Sequence, residues 1–261
     1  MILKVGHIFR FSNTLRKIKE IAESGKLGNI LMINMVWATP WEEIPAGRDA
    51  LYDFAPHPID MLNYILSEWP SKASCISREI SLKRKGLGEF AHMILEFSDG
   101  KFADINLSWL SADDSKTRKM EIFGTNENLI AFPVEQELYI WNKESKTKTK
   151  IPIISNNTIA DEIMDFINTV KLGVHVSSNS GSIGARTIAI IESAKKSHEI
   201  EKVIEINNDK GMPLAFSKIK DISVGKDTKI YDQVNLFDCK IGDNCKIDSF
   251  VYIEGGVEIG N

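Results

Sequence analysis

The stretch Asp49-Ala-Leu-Tyr-Asp-Phe-Ala-Pro-His-Pro-Ile-Asp60 holds the residue types that could do chemistry. Asp53, His57 and Asp60 are spaced by four and three, which on a helix puts all three on one face. A carboxylate beside an imidazole fixes its tautomer and favours its charged form. Such a histidine can pass a proton to or from an alcohol or carbonyl near neutral pH. The blander alternative is that an aspartate caps or solvates the helix while His57 packs beside it. Two carboxylates and one imidazole also resemble a metal set, but no second histidine lies nearby, and no metal is assigned. Arg10 and Asn13 fall at a junction leading into a helix, where a ligand could meet the helix N-terminus. Arg48 could take an anionic substrate group, or form a rim salt bridge. Arg10, Asn13, Arg48 and Asp60 are therefore the candidate substrate-binding residues, and Asp53 and His57 the candidate catalytic ones. Trp37 and Trp41 could wall a pocket. His7, His92, His175 and His198 are isolated in the sequence and are assigned no role.

The elements that must position these groups follow from apolar spacing. Met1 to Phe11 reads as a strand. Ser12 is placed to cap a helix over Asn13 to Ser24, with Leu15, Ile18, Ile21 and Ala22 as its stripe and Gly25 as its stop. A strand follows from Ile30 to Ala38 and a loop from Pro40 to Gly47. A helix is then expected from about Ala50 to Ser67. Pro56 and Pro58 remove two N–H donors, so its regular part starts near Pro56, with Asp53 just before it. Strands are expected at Ala73–Leu82, Phe90–Phe97, Lys101–Trp109, Lys119–Gly124, Leu129–Phe132, Leu138–Asn142 and Lys148–Ile151. Ser98-Asp99-Gly100 is a hairpin turn between two of them. Helices over Thr158–Leu172 and Ser182–His198 close the region. The fold class is α+β: an open, mainly antiparallel sheet with helices on one face.

After about Asn207 the period changes. Residues 207–216 read as a linker, and beyond it apolar residues fall every sixth position: Val224, Ile230 and Leu236, then, after a one-residue reset, Ile241, Ile247, Ile253 and Ile259. Neither a helix nor an ordinary strand keeps a period of six. The period is that of a short parallel β-helix over 217–261, each repeat giving one strand and one turn. Cys239 and Cys245 are read as small packing residues within it. Both ends of the chain look cut: the repeats stop in mid-phase without a cap, and the first strand has no sheet before it.

The 261 residues carry 36 acidic and 32 basic side chains, a net charge of −4, which argues against nucleic acid as the main partner. At 43% hydrophobic and 26% charged, the chain can bury a core. No apolar run reaches the ~18 residues of a membrane span. Three cysteines without CxxC spacing fit a reduced, cytoplasmic setting rather than a disulfide framework. No GxGxxG follows a strand into a helix, and the P-loop pattern is absent.

Val5-Gly-His-Ile-Phe-Arg-Phe-Ser12, the helix ending Ser24-Gly-Lys-Leu-Gly28, and Leu51-Tyr-Asp-Phe-Ala-Pro-His-Pro-Ile-Asp60 together resemble the second domain of the Gfo/Idh/MocA oxidoreductases, over residues 1–206. The resemblance implies an open sheet that holds a sugar, with Asp53 and His57 working beside a lysine of a preceding Rossmann domain. That domain binds NAD or NADP, and its motifs are missing here, so the implied active site is half of one. Residues 230–247 resemble the opening of a left-handed β-helix N-acetyltransferase acting on nucleotide-linked amino sugars. That resemblance implies a UDP-linked amino sugar or uronate as substrate. Acetyl-CoA enters only if a full β-helix is present. A homo-oligomer, or a partner chain supplying the Rossmann domain, is expected. The rival readings are a non-catalytic binding and assembly module and a part of an acetyltransferase.

Overall fold

A computed structural model describes residues 3–40, 49–80, 88–111, 115–172, 179–206, 218–230, 235–247, 252–253 and 256–260. Arg48, Trp41 and the expected linker at 207–216 lie outside them.

The core is a nine-stranded sheet. Its strands are β1 (Ile30–Ala38), β2 (Lys72–Arg78), β3 (Phe90–Glu96), β4 (Phe102–Ser108), β5 (Thr117–Gly124), β6 (Glu127–Phe132), β7 (Glu137–Asn142), β8 (Thr147–Ile151) and β9 (Ile204–Glu205). The order across the sheet is β8-β7-β6-β5-β1-β4-β3-β2-β9. Hairpins build both wings, as the turn signals require, and Gly100 takes a positive φ in the β3–β4 turn. The centre differs from a plain meander. β1 inserts between β4 and β5, parallel to the first and antiparallel to the second. Its nearly unbroken apolar run, Ile-Leu-Met-Ile-Asn-Met-Val-Trp-Ala, suits a central strand.

Alternation decides the faces. Ile33, Met35 and Trp37 of β1, Ala103, Ile105 and Leu107 of β4, and Met120 and Ile122 of β5 are buried. They pack in one core with Leu15 and Ile18 of α1 (Asn13–Glu23), Ile59 and Leu62 of α3 (Pro56–Leu66), and Ile190 and Ile191 of α5 (Gly181–Ile200). The helix expected over Ala50–Ser67 is broken. A short α2 (Ala50–Phe54) ends at Ala55, and α3 restarts at Pro56, because prolines tolerate only a first turn. Asp49 caps α2, accepting from the Leu51 N–H at 2.8 Å. α4 (Thr158–Leu172) forms where its periodicity placed it, but its stripe is open: Ile159, Ile163, Phe166 and Val170 are exposed.

The opening segment departs furthest from the sequence reading. Of the strand expected over Met1–Phe11, the described residues 3–11 form none: Lys4 makes a single bridge to Ser180, and Ile8–Phe11 is a 3₁₀ turn. A strand would send neighbouring side chains to opposite sides. The 3₁₀ turn, with three residues per turn, brings His7 and Arg10 to the same side, toward α3. The segment is pinned by buried Asn179, whose carbonyl accepts from Val5 N–H at 2.9 Å and whose amide donates to Val5 O at 3.1 Å. Ser12 sits at the N-cap of α1, yet its side chain makes no cap bond; Asn156 Oδ1 instead accepts from Asn13 N–H at 3.0 Å.

The second unit is a set of short parallel strands. Val224 stacks on Ile241 and Ile241 on Ile259, while Ile230 stacks on Ile247 and Leu236 on Ile253. Leu236, Cys239, Ile241, Ile247 and Ile253 form its buried core. Val224, expected to point inward, is 43% exposed, and Ile222 packs against this core instead. Successive layers lie close: a Cβ on Gly225 would fall 2.4 Å from the backbone carbon of Gly242.

Gly184 marks the contact between α5 and the opening strap. A Cβ there would lie 2.6 Å from Val5 Cγ2 and 3.3 Å from Val5 Cβ. Gly184→Ala should therefore lower unfolding stability by about 1–3 kcal/mol. In denaturant titration, adding Val5→Ala should recover most of the loss. Equal stability of the single variant and the parent would show that the strap gives way without cost.

Candidate active site

Three elements meet at His57. It is the second residue of α3, in the helix's first turn. The 3₁₀ turn sets Phe9 edge-on against its ring, centroids 5.5 Å apart and planes at 86°. β1 lays Trp37 nearly parallel to it at 6.2 Å and 22°. Phe9 and Trp37 are themselves edge-to-face at 5.5 Å. The ring is only partly exposed, so its charged form is disfavoured. Burial lowers its pKa, Asp53 opposes that by attraction, and Arg118 adds to it by repulsion. The result is an imidazole that is neutral near pH 7 with a carboxylate in electrostatic reach, a group suited to taking a proton from a hydroxyl and returning it.

Asp60 does not join this pair. Although three residues from His57, it is 2% exposed and turned to Arg10, whose Nε lies 2.8 and 3.0 Å from its two oxygens and whose Nη2 lies 2.7 Å from Oδ1. Arg10 also donates to Asn63 Oδ1 at 2.8 Å. The expectation that Asp53, His57 and Asp60 share one working face is corrected accordingly: Asp53 lies on α2, before the break at Ala55, and Asp60 faces the strap. Arg10 and Asp60 were expected to touch substrate. In the structure both are buried and paired with each other. Asn13 is committed as well, donating to Ile154 O at 2.9 Å, away from the contacts around His57. Arg48 lies outside the described residues.

Residues 15–130 match the profile of the GFO/IDH/MocA C-terminal domain, and residues 238–261 that of the bacterial transferase hexapeptide. A myo-inositol 2-dehydrogenase of Thermotoga maritima is 23% identical over 220 residues, covering 79% of this chain and 65% of that protein. Among solved structures, levoglucosan dehydrogenase in complex with NADH and levoglucosan superposes with a TM-score of 0.69 at 18% identity, covering 79% of this chain and 67% of that one. An oxidoreductase from Agrobacterium radiobacter, in complex with NAD+, L-tartaric acid and magnesium, gives 0.68 at 16%, covering 78% and 65%. A UDP-N-acetylglucosamine 3-dehydrogenase from Acidithiobacillus ferrooxidans gives 0.66 at 16%, covering 77% and 62%. The chain thus spans about 65% of the length of the curated relative it matches. At these identities the structural likeness establishes the fold.

Sequence spacing missed two groups. Arg118 of β5 lies directly opposite Trp37 in the β1–β5 register. Its guanidinium sits 5.2 Å over the Trp37 ring and 5.0 Å over Phe54. It also donates to Ala38 O and to Thr39 Oγ1. No local motif carries that placement; only strand register does. His7, assigned nothing from sequence, is 4% exposed and lies beside Asp60. Among the described residues no cluster of His, Cys, Asp and Glu could hold a metal, and no helix is long and apolar enough to cross a membrane.

The ion pair gives a sharp test. Burial pushes Asp60 up to about 6 even against the pull of Arg10. Arg10→Met should cost about 3–5 kcal/mol near pH 7, because it leaves a buried carboxylate unpaired. The carboxyl can then escape its penalty only by taking a proton. Its folded pKa lies above its unfolded one, so the relative loss should shrink as pH falls toward 4. Urea titrations of Arg10→Met and of Arg10→Met/Asp60→Leu across that range check this. A pH-independent loss would count against the buried charge as its source.

Proposed function

We propose that this chain supplies the substrate-holding half of an NAD(P)-dependent sugar oxidoreductase, with His57 as general acid–base and Asp53 as its orienting carboxylate. The observation that carries this reading is a partly exposed imidazole, neutral by burial, fixed between Phe9 and Trp37 and electrostatically paired with Asp53. Arg118, close to the same rings, is the candidate cation for an anionic substrate group, a role first expected of Arg10. Domain limits of 1–206 for the substrate unit and 217–261 for a left-handed β-helix segment, joined by 207–216, fit this division.

The residues described here do not fit a dinucleotide. No glycine-rich turn runs from a strand into the start of a helix to cradle a pyrophosphate. When bound by a companion domain, the nicotinamide would supply the hydride acceptor or donor; this chain's residues bind the sugar and move the hydroxyl proton. A nucleotide-linked amino sugar or uronate is the favoured substrate. Two findings support it: a sugar domain and transferase-type hexapeptides share one chain, and one solved relative is a UDP-N-acetylglucosamine dehydrogenase. Acetyl-CoA binding is not expected without a full β-helix. The parallel stacked strands of the second unit favour an additional assembly role, with a homo-oligomer as its product.

In an assembly of this chain with a dinucleotide-binding domain that turns over NAD(P)H, His57→Ala should reduce kcat by about 10²–10⁴-fold. An unchanged rate would remove His57 from the chemistry. Calorimetric titration of the chain alone with NADH and with NADPH should show no saturable binding at micromolar concentrations, and tight binding there would overturn the division of labour. The same assembly should prefer UDP-N-acetylglucosamine over free N-acetylglucosamine in kcat/KM.

A further inference from the structure

His7 is a buried histidine with an unexplained nitrogen. Its side chain is 4% exposed, and among the described residues its Nε2 has no hydrogen-bond partner. Buried polar atoms of folded proteins are nearly always satisfied, so an orphan asks for a reason. Asp60 Oδ1 lies 3.6 Å from His7 Nε2, beyond hydrogen-bond length yet close enough to bias which tautomer the ring prefers. An N–H aimed at a carboxylate is favourable, whereas a lone pair aimed there is repelled. Arg10 contacts the same carboxylate, its Nε and Nη2 lying 2.8 and 2.7 Å from that Oδ1 and its Nε 3.0 Å from Oδ2. His7 and Arg10, three residues apart at the head and within the 3₁₀ turn, thus address one side chain of α3 from the same strap.

We propose that His7 is a positioning residue: its neutral ring carries the hydrogen on Nε2 and, with Arg10, holds the Asp60 carboxylate that anchors α3 one turn beyond His57. The catalytic meaning of this arrangement rests on the acid–base role proposed for His57; the arrangement itself does not. The groups that bear on it are Arg10 on the strap, His57 and Asp60 on α3, and Glu162 of α4, which acts on Asp60. Burial, Arg10 and His57 all oppose a second proton on His7 and hold its pKa down to about 3. His7 therefore stays neutral where His57 is to titrate, and adds no cation to the one already present on Arg10.

Imidazole nitrogen NMR on the full chain reads the tautomer directly. His7 should show the neutral Nε2–H form at pH 7 to 8, where Asp60 is ionised, and should take up no second proton down to pH 5; an Nδ1–H form at pH 7 to 8, or protonation of the ring above pH 5, would overturn the proposal. Carboxyl carbon NMR of Asp60 supplies the second reading. His7→Phe removes the donor and should move the Asp60 midpoint upward by about one pH unit. His7→Gln, whose amide nitrogen falls near the Nε2 position, should restore it to within a few tenths, and His7→Asn should not. An Asp60 midpoint unmoved in His7→Phe, or equal rescue by Asn and Gln, would reduce His7 to packing. Neither measurement needs turnover, so a chain without oxidoreductase activity would leave this inference standing, and a failed tautomer test would leave the activity standing.

Discussion

A carboxylate removed from water must be paired or protonated, and Asp60 is paired. The pairing with Arg10 welds the opening strap to the middle of α3, and the site follows from that weld. With Arg10 fixed, Phe9 has one place to go, against the ring of His57. Gly184 lets α5 approach the strap from behind, and Asn179 ties Val5 by both its backbone groups. A buried ion pair is weak evidence of net stability, because desolvation consumes most of the attraction. It is strong evidence of register: no one-residue slip of the strap leaves the guanidinium opposite the carboxylate.

The same weld explains why His57 can be poised. The ring lies at the start of α3, held by two aromatic rings from different elements, so its orientation does not depend on a substrate. Its proton affinity is a balance in which burial and Arg118 disfavour charge and Asp53 favours it. Neither cation nearby is idle. Arg10 is neutralised by Asp60 and donates to Asn63, while Arg118 lies over the rings of Trp37 and Phe54. Aromatic faces accept a guanidinium without quenching its charge, and Arg118 also donates to Ala38 O and Thr39 Oγ1.

Local signals carried much of this fold. The Asp-Gly hairpin, the prolines opening α3 and the six-residue period each specify a conformation within a few residues of themselves. What the residues could not show is which partner a side chain chooses. Asp60 is in helical register with His57 yet answers Arg10, fifty positions away. Arg118 reaches the site only because β5 pairs with β1, a pairing no turn links. The strap read as a strand because its apolar residues fit one; the decisive fact, that its polar residues must face α3 together, is tertiary. The helix stripe of α4 shows the complementary limit. Spacing correctly placed its apolar face, but periodicity states what a face would bury and not whether anything covers it.

The two units of the chain also solve the burial problem by different physics. In the sheet unit, the central strand pairs with neighbours on both sides that arrive late in sequence, so its register is set by long-range contacts and one face of helices. In the hexapeptide unit each layer is covered by the next, Val224 by Ile241 and Ile241 by Ile259, and order passes from neighbour to neighbour. Val224 is exposed while Ile222 of the same strand packs against the core, and in the next layer Ile241 is buried. Period alone cannot express this difference, because it is a property of which side chain of a layer faces the core. By the same logic the glycines at the corners matter through their neighbours: Gly225 is small because the backbone of Gly242 lies against it.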